Sequence, residues 1–173
     1  MSLLDVIRKD LEVNKNNRKG QFIVFCYRVS SYIVKSKNPF IRILGFPFVK
    51  FYDWTVNWVM GVEIPTKTLV GPGLQVWHGV GLIINPHAII GKNVLLRHST
   101  TIGNKYEGSK CPVIGDNVNI GAHCVIIGDV MIGDNVIIGA GTIVTKSIPA
   151  NTIAYGNPMI LKPSFPVNSY QQL

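Results

Sequence analysis

The chain has 173 residues, 47% of them hydrophobic, and a formal net charge of +8, which suits one domain with an appendage. Its three cysteines, at 26, 111 and 124, include no C-x-x-C pair, which argues against a disulfide framework or a cysteine-built zinc site. No uncharged run reaches the roughly 18 residues of a membrane span.

The charge is unevenly placed. Residues 1–61 hold ten Lys/Arg against four Asp/Glu, and residues 62–173 hold seven against five. The first part is also rich in Phe, Tyr and Trp, and this shift marks a boundary near Gly61. Its opening run, M-S-L-L-D-V-I-R-K-D, alternates charge and lacks the apolar core and cleavage site of a leader, so a cytoplasmic location is expected. Between Gln21 and Lys37 the apolar residues have helical spacing. Phe40 to Val59 is a second apolar stretch, interrupted by Gly45 and Pro47. Two uses of this region stay open. The helices pack on the rest of the chain or on a neighbouring subunit, or they give a basic amphipathic surface for peripheral contact with an anionic membrane. The basic residues form no nucleic-acid motif, and no nucleic-acid partner is expected.

From residue 62 the pattern changes. Val70, Val76 and Leu82 stand six apart, and Ile90, Leu96 and Ile102 resume the period after a slip of two residues placed between Leu82 and Ile90. From Ile114 to Pro149 the period is regular, with aliphatic residues at 114, 120, 126, 132, 138 and 144. Six residues is the period of neither a helix nor a simple strand. It is the signature of a β-solenoid, whose stacked coils turn equivalent positions into inward ladders. The polar stretch from Asn104 to Pro112 breaks the pattern and reads as an extruded loop. The expected architecture is mainly β, with a short α-helical region over 1–61, a solenoid over 62–163 and a tail over 164–173.

Four histidines bear on chemistry. His87 falls in I-N-P-H-A and His123 in I-G-A-H-C-V, where structural or surface roles are expected. His98 shares its coil position with His78, in V-W-H-G-V-G. Fifteen residues upstream of His78 stands Glu63. With about eighteen residues per three-sided turn, that separation brings two side chains near adjacent corners. A carboxylate there can orient an imidazole, which can then take a proton from a hydroxyl. The plainer reading is a histidine that is merely hydrogen-bonded.

The hexapeptide rows, the extruded loop and the closing I-P-A-N-T-I-A-Y-G-N-P segment resemble the left-handed β-helix acyltransferases. The resemblance covers roughly residues 62 to 163, is strongest to the serine acetyltransferase-like branch, and includes that branch's fifteen-residue acid-to-histidine spacing. It implies a left-handed coil, acetyl-CoA as co-substrate, no metal, and direct attack of a hydroxyl on the thioester. In that reading His78 is the base and Glu63 orients it. Gly103 and Asn104 lie near the thioester, and the paired small residues Gly121-Ala122 and Gly139-Ala140 line the pantetheine arm. Thr145, Lys146 and Lys162 meet the nucleotide end, although surface lysines need no such role. The family's trimers, with the site between neighbouring solenoids, imply a homotrimer here.

Serine acetyltransferases carry Asp before the catalytic His, where this chain has Trp77, and Arg-His before the loop Pro, where it has Lys110-Cys111. Those charged groups hold the amino and carboxylate groups of serine, and their loss is severe for a zwitterion. Trp77 offers a flat face suited to a sugar ring. G-P-G-L-Q-V-W-H-G-V-G-L-I-I-N-P and T-I-G-N-K-x-x-G-S-K-C-P-V-I-G-D-N-V are similar to the short acetyltransferases of capsule and exopolysaccharide assembly, of the colanic acid type. The expected activity is therefore O-acetylation of a sugar in a surface-glycan precursor, with Trp77, Lys110, Cys111 and His98 near the acceptor. Such precursors are lipid-linked, which places the chain at the cytoplasmic membrane face. Serine acetylation and a non-catalytic scaffold are the alternatives. Cys111 is also a candidate nucleophile for an acyl-enzyme, against which the resemblance favours direct transfer.

Overall fold

A computed structural model describes residues 1–164. The tail expected over 164–173 lies, after Ser164, outside the described residues.

Three helices open the chain: α1 (Leu3–Val13), α2 (Arg18–Lys35) and α3 (Pro39–Tyr52), which runs on into a π-helical segment, Asp53–Val59. α1 was not among the expected helices. Its start is nonetheless fixed locally, because Ser2 and Asp5 form a reciprocal capping box. α3 continues through Gly45 and Pro47 rather than breaking. Gly45 lies against α2, where a Cβ would meet Ile33 Cγ2 at 2.6 Å. That glycine serves close helix approach, not chain reversal.

Residues 62–163 form a parallel β-solenoid of about five turns. Sheet I stacks β1 (Val62–Glu63), β4 (Leu82–Ile84), β7 (Thr101–Gly103), β10 (Val125–Ile127) and β13 (Ile143–Val144). Sheet II stacks β2 (Leu69–Val70), β5 (Ile89–Ile90), β8 (Val113–Ile114) and β11 (Met131–Ile132). Sheet III stacks β3 (Gln75–Trp77), β6 (Leu95–Arg97), β9 (Asn119–Ile120), β12 (Ile137–Ile138) and β14 (Thr152–Tyr155), closed by the antiparallel β15 (Ile160–Pro163).

Each strand sends one or two aliphatic side chains inward. Ile84, Ile102, Ile126 and Val144 make one buried ladder and Val76, Leu96, Ile120 and Ile138 another. Burying such a side chain is worth about 1.5–3 kcal/mol, and only stacking achieves it. The recurrent Asn of G-D-N and G-K-N follows from the corner between sheets II and III. Asn93, Asn117, Asn135 and Asn151 all have φ between 54° and 59° there. Their side-chain amides bond to one another up the stack at 2.9, 3.1 and 2.9 Å.

The irregular coils have visible causes. The extruded loop lengthens one step to 24 residues, Ile89 lying beneath Val113, whereas Val113 to Met131 is a plain step of 18. The two-residue slip is not where the sequence period placed it. Val76 pairs with Leu96 and Ile84 with Ile102, so the two extra residues lie between Val76 and Ile84. They enlarge the turn that carries His78.

The helices cap the first coil, whose outward backbone groups have no strand above them. Tyr27 and Tyr52 hydroxyls donate to Thr68 and Ile64 carbonyls at 2.9 and 2.6 Å. Asn14 and Asn17 donate to Leu74 and Val76 carbonyls at 2.8 and 2.7 Å. Buried Asp10 accepts from Arg28 Nε at 2.7 Å and from the Gly73 and Leu74 N–H groups at 2.7 and 3.1 Å. Arg28 spends its remaining nitrogens on Val70 and Gly71 carbonyls. Side chains thus replace the missing strand, as buried backbone groups require.

Candidate active site

The corner from sheet III to sheet I brings three histidines into one column. His78 follows β3, His98 follows β6 and His123 lies in the turn after β9. The rings of His78 and His98 meet edge-to-face with centroids 5.8 Å apart, and those of His98 and His123 at 5.0 Å. His98 Nδ1 is buried and has no hydrogen-bond partner among the described residues. His78 and His123 are exposed. His123 was not expected in this group.

His78 sits on a contorted turn. Its φ is 66°, and Gly79 and Gly81 follow at 65° and 71°. Ser99 and His123 on the same corner share this conformation, at 55° and 59°, so positive φ belongs to the corner and not to His78 alone. The turn is supported from below: a Cβ on Gly79 would meet Val62 Cγ2 at 3.1 Å and Ile23 Cδ1 of α2 at 3.3 Å. α2 therefore fixes the height of the histidine turn.

Glu63 lies on the outer face of sheet I, in register with Ile83. It makes no hydrogen bond or ion pair to His78 and lines an open cleft of about 500 Å³ with Trp58, Lys67 and Pro86. The ring contact that holds His78 within one chain comes from His98. Trp77 is 41% exposed at the end of β3. Its neighbour one coil on is Arg97, a cation absent from the expected site. Arg97 is tied down by Asn119 Oδ1 at 2.6 Å.

The other candidates divide between two edges of the prism. Gly121, Ala122, Gly139 and Ala140 share the histidine edge, where Gly141 N–H donates to Ala122 O at 2.8 Å. Gly121 has a packing cause as well: a Cβ there would lie 2.5 Å from Ala140 N. Beside exposed Ala140, a Cβ on Gly141 would meet nothing within 4 Å, so this part of the edge is an open shelf. Gly103, Asn104, Thr145 and Lys146 belong to the corner from sheet I to sheet II. Asn104 accepts from Asn85 Nδ2 at 3.0 Å and donates to Tyr106 O at 2.7 Å. Lys162 lies on β15 with Nζ 5.5 Å from the Tyr155 ring centroid.

Lys110 and Cys111 end the extruded loop at that same second corner, not in the histidine column. Lys110 pairs with Asp129 at 3.0 Å, both groups exposed, which is worth at most about 1 kcal/mol. Cys111 is buried in the core, and burial pushes its thiol up from the ordinary cysteine range. A thiolate nucleophile is disfavoured there. No cluster of three or more His, Cys, Asp or Glu among the described residues has the arrangement to hold a metal.

The chain matches the family described as bacterial transferase hexapeptide (six repeats) over residues 111–146. It is 32% identical over 151 residues to the Escherichia coli (strain K12) protein that bears the name "Putative colanic acid biosynthesis acetyltransferase WcaB". That match covers 86% of this chain and 93% of the relative. It is 40% identical over 142 residues to the chloroplastic serine acetyltransferase 1 of Arabidopsis thaliana, covering 81% of this chain and 43% of that one. In fold it is similar to the serine acetyltransferase of Brucella abortus strain S19 solved in complex with coenzyme A. The TM-score is 0.76 at 22% identity, over 92% of this chain and 67% of that one.

Proposed function

The chain belongs to the hexapeptide-repeat acetyltransferases of the serine acetyltransferase-like branch, and on that premise we propose that it transfers acetyl from acetyl-CoA to a sugar hydroxyl of a surface-polysaccharide precursor. The observation that carries the choice of acceptor is Trp77, exposed beside His78 on the histidine edge where a zwitterion would need an acid. The near full-length match to a relative named for colanic acid biosynthesis supports the same reading.

In the reaction, His78 takes the proton of the acceptor hydroxyl as the oxygen attacks the thioester carbonyl. A tetrahedral intermediate forms and collapses, the C–S bond breaks, and the imidazolium returns the proton to the departing thiolate. The products are an O-acetyl ester and free CoA. Backbone N–H groups near Gly103 and Asn104 stabilise the oxyanion, and His98, whose ring stands against His78, orients the imidazolium. Lysines 146 and 162 attract the phosphates of the nucleotide.

The split of these residues between two edges supports a site completed by a neighbouring solenoid. One copy supplies the histidine edge with its shelf at Ala122, Ala140 and Gly141, and the next supplies the corner with Gly103, Asn104, Thr145 and Lys146. Sheet II carries an exposed apolar ladder, Leu69–Ile89–Val113–Met131, that such packing would cover. A homotrimer satisfies both.

The test is CoA release with acetyl-CoA and, in parallel, a glycan precursor panel and free L-serine, with mass spectrometry of the products. Saturable acetylation of a glycan, lost in His78→Ala, is expected. Saturable turnover on L-serine would replace the sugar with serine as the acceptor.

A further inference from the structure

α3 and the π-helical segment carry an apolar face that none of the described residues covers. Phe40, Leu44, Phe51, Trp54 and Trp58 recur along one side and are 73, 80, 45, 65 and 84% exposed. Ile43 and Phe46 widen the stripe at 70% and 57%. The inward side is already used: Gly45 meets Ile33, and Tyr52 and Val56 are fully buried. Single exposed apolar residues need no explanation, but a continuous stripe does.

The charge around it is of one kind. Lys37 precedes the helix, Arg42 and Lys50 lie on it, and Asp53 is the one acid between residues 37 and 59. Neither Arg42 nor Lys50 is in an ion pair among the described residues, and Lys50 Nζ stands 5.4 Å from the Phe46 ring centroid. Between α2 and α3 an open groove of about 720 Å³ has an apolar floor, including Ile33, Pro39 and Phe46, and Arg42 and Lys50 among its walls. Apolar floor and cationic walls match an acyl chain below a phosphate headgroup. No helix among the described residues is long and apolar enough to cross a membrane.

We propose that this face docks on an anionic lipid bilayer, lying in the plane of the interface. Leu44, Trp54 and Trp58 enter the boundary between headgroups and acyl chains, where Trp is at home. Arg42 and Lys50 meet lipid phosphates, each strengthening attachment to an anionic surface. The inference does not depend on which hydroxyl is acetylated. It adds a site of attachment that brings the histidine edge to substrates held at a membrane.

The experiment is vesicle flotation of the full chain, with phosphatidylcholine alone and with phosphatidylcholine mixed with phosphatidylglycerol. Flotation with the mixed vesicles, weakened by salt, is expected. Leu44→Gln/Trp54→Ser/Trp58→Ser should remain in solution, with circular dichroism and sedimentation unchanged because all three side chains are exposed. Arg42→Ser/Lys50→Ser should bind mixed vesicles roughly 30-fold more weakly and leave the weak phosphatidylcholine binding as it was. Absence of wild-type flotation overturns the proposal, as does undiminished flotation of the triple variant. A triple variant that sediments as a smaller species, with no vesicle binding by wild type, would instead make this face a contact between copies of the chain.

Discussion

The ring of His98 stands edge-on to the ring of His78, with centroids 5.8 Å apart at an interplanar angle of 78°. His123 braces His98 from the other side, centroids 5.0 Å away. In the single chain this stack, and not Glu63, contacts the proposed base. His98→Ala is therefore expected to lower kcat by about tenfold with KM for acetyl-CoA unchanged, since a tenfold loss needs only ~1.4 kcal/mol of misplacement. His98→Gln, which keeps volume and a donor, should recover part of it. Steady-state kinetics of both, beside Glu63→Gln, separates the two candidates for orienting His78. A His98→Ala enzyme with wild-type kcat would return that role to Glu63.

Removing the base itself should cost far more. His78→Ala is expected to lower kcat by about 10²–10⁴-fold, the usual worth of general base catalysis. His78 is exposed, so the thermal midpoint should hardly move. Single-turnover acetyl transfer checks the first expectation and calorimetry the second.

Asp10 and Arg28 are buried where the helices meet the first coil. Asp10→Ala would strand a guanidinium and free the Gly73 and Leu74 N–H groups, so a loss of about 3–5 kcal/mol is expected. Asp10→Ala/Arg28→Met should lose less than the single change, because no unpaired charge then remains. Urea denaturation of the three proteins decides the order.

Tyr27 is pushed up to about 12 by burial, against the smaller opposing pull of the Arg28 charge. Burial raises Tyr52 in the same direction. Both phenols must be neutral in the fold. The stability they confer is complete below the ordinary tyrosine value of about 10 and is lost as pH climbs from there to about 12. The helical cap should thus loosen between about pH 10 and 12. Tyrosinate absorbance should show a late class of tyrosines whose appearance coincides with loss of helical circular dichroism. Tyr27→Phe should reduce this alkaline loss.

Cys111 is predicted to be a bystander. Burial raises its thiol, so at neutral pH the unreactive protonated form prevails. Cys111→Ala should retain acetyl transfer within about threefold, and no acetylated Cys111 should appear in mass spectra of the enzyme quenched during turnover.

The solenoid was legible because its period is an inward ladder, and the repeated Asn because one corner needs positive φ. The histidine column was only half legible. His78 and His98 are twenty residues apart and His98 and His123 twenty-five, neither a multiple of six. The first gap is a plain coil of 18 plus the two residues of the enlarged His78 turn; the second is that coil plus the six of the extruded loop and one more, so His123 stands one position further along its coil than His98. A period count alone placed those two extra residues too late, because Leu82 happens to keep step with Val76. α1 escaped notice because its apolar face is narrow and its stabilising groups, Asp10 and Asn14, are polar ones that read as surface. Gly45 and Pro47 looked like breaks because nothing local reveals that Ile33 presses on the first and that the second faces solvent.

The capping of the first coil by Asp10, Asn14, Asn17, Tyr27 and Tyr52 has a consequence for polymerisation. At the far end β15 folds back over β14 and closes sheet III. At the near end those five side chains, with Arg28, Ser31 and Lys35, occupy backbone groups of the first coil that would otherwise accept another strand. A chain shorn of its helices would offer an open template of the right spacing to any coil that met it. Growth into end-to-end fibres is then the natural failure, and the helices are what keep each protein a finite length.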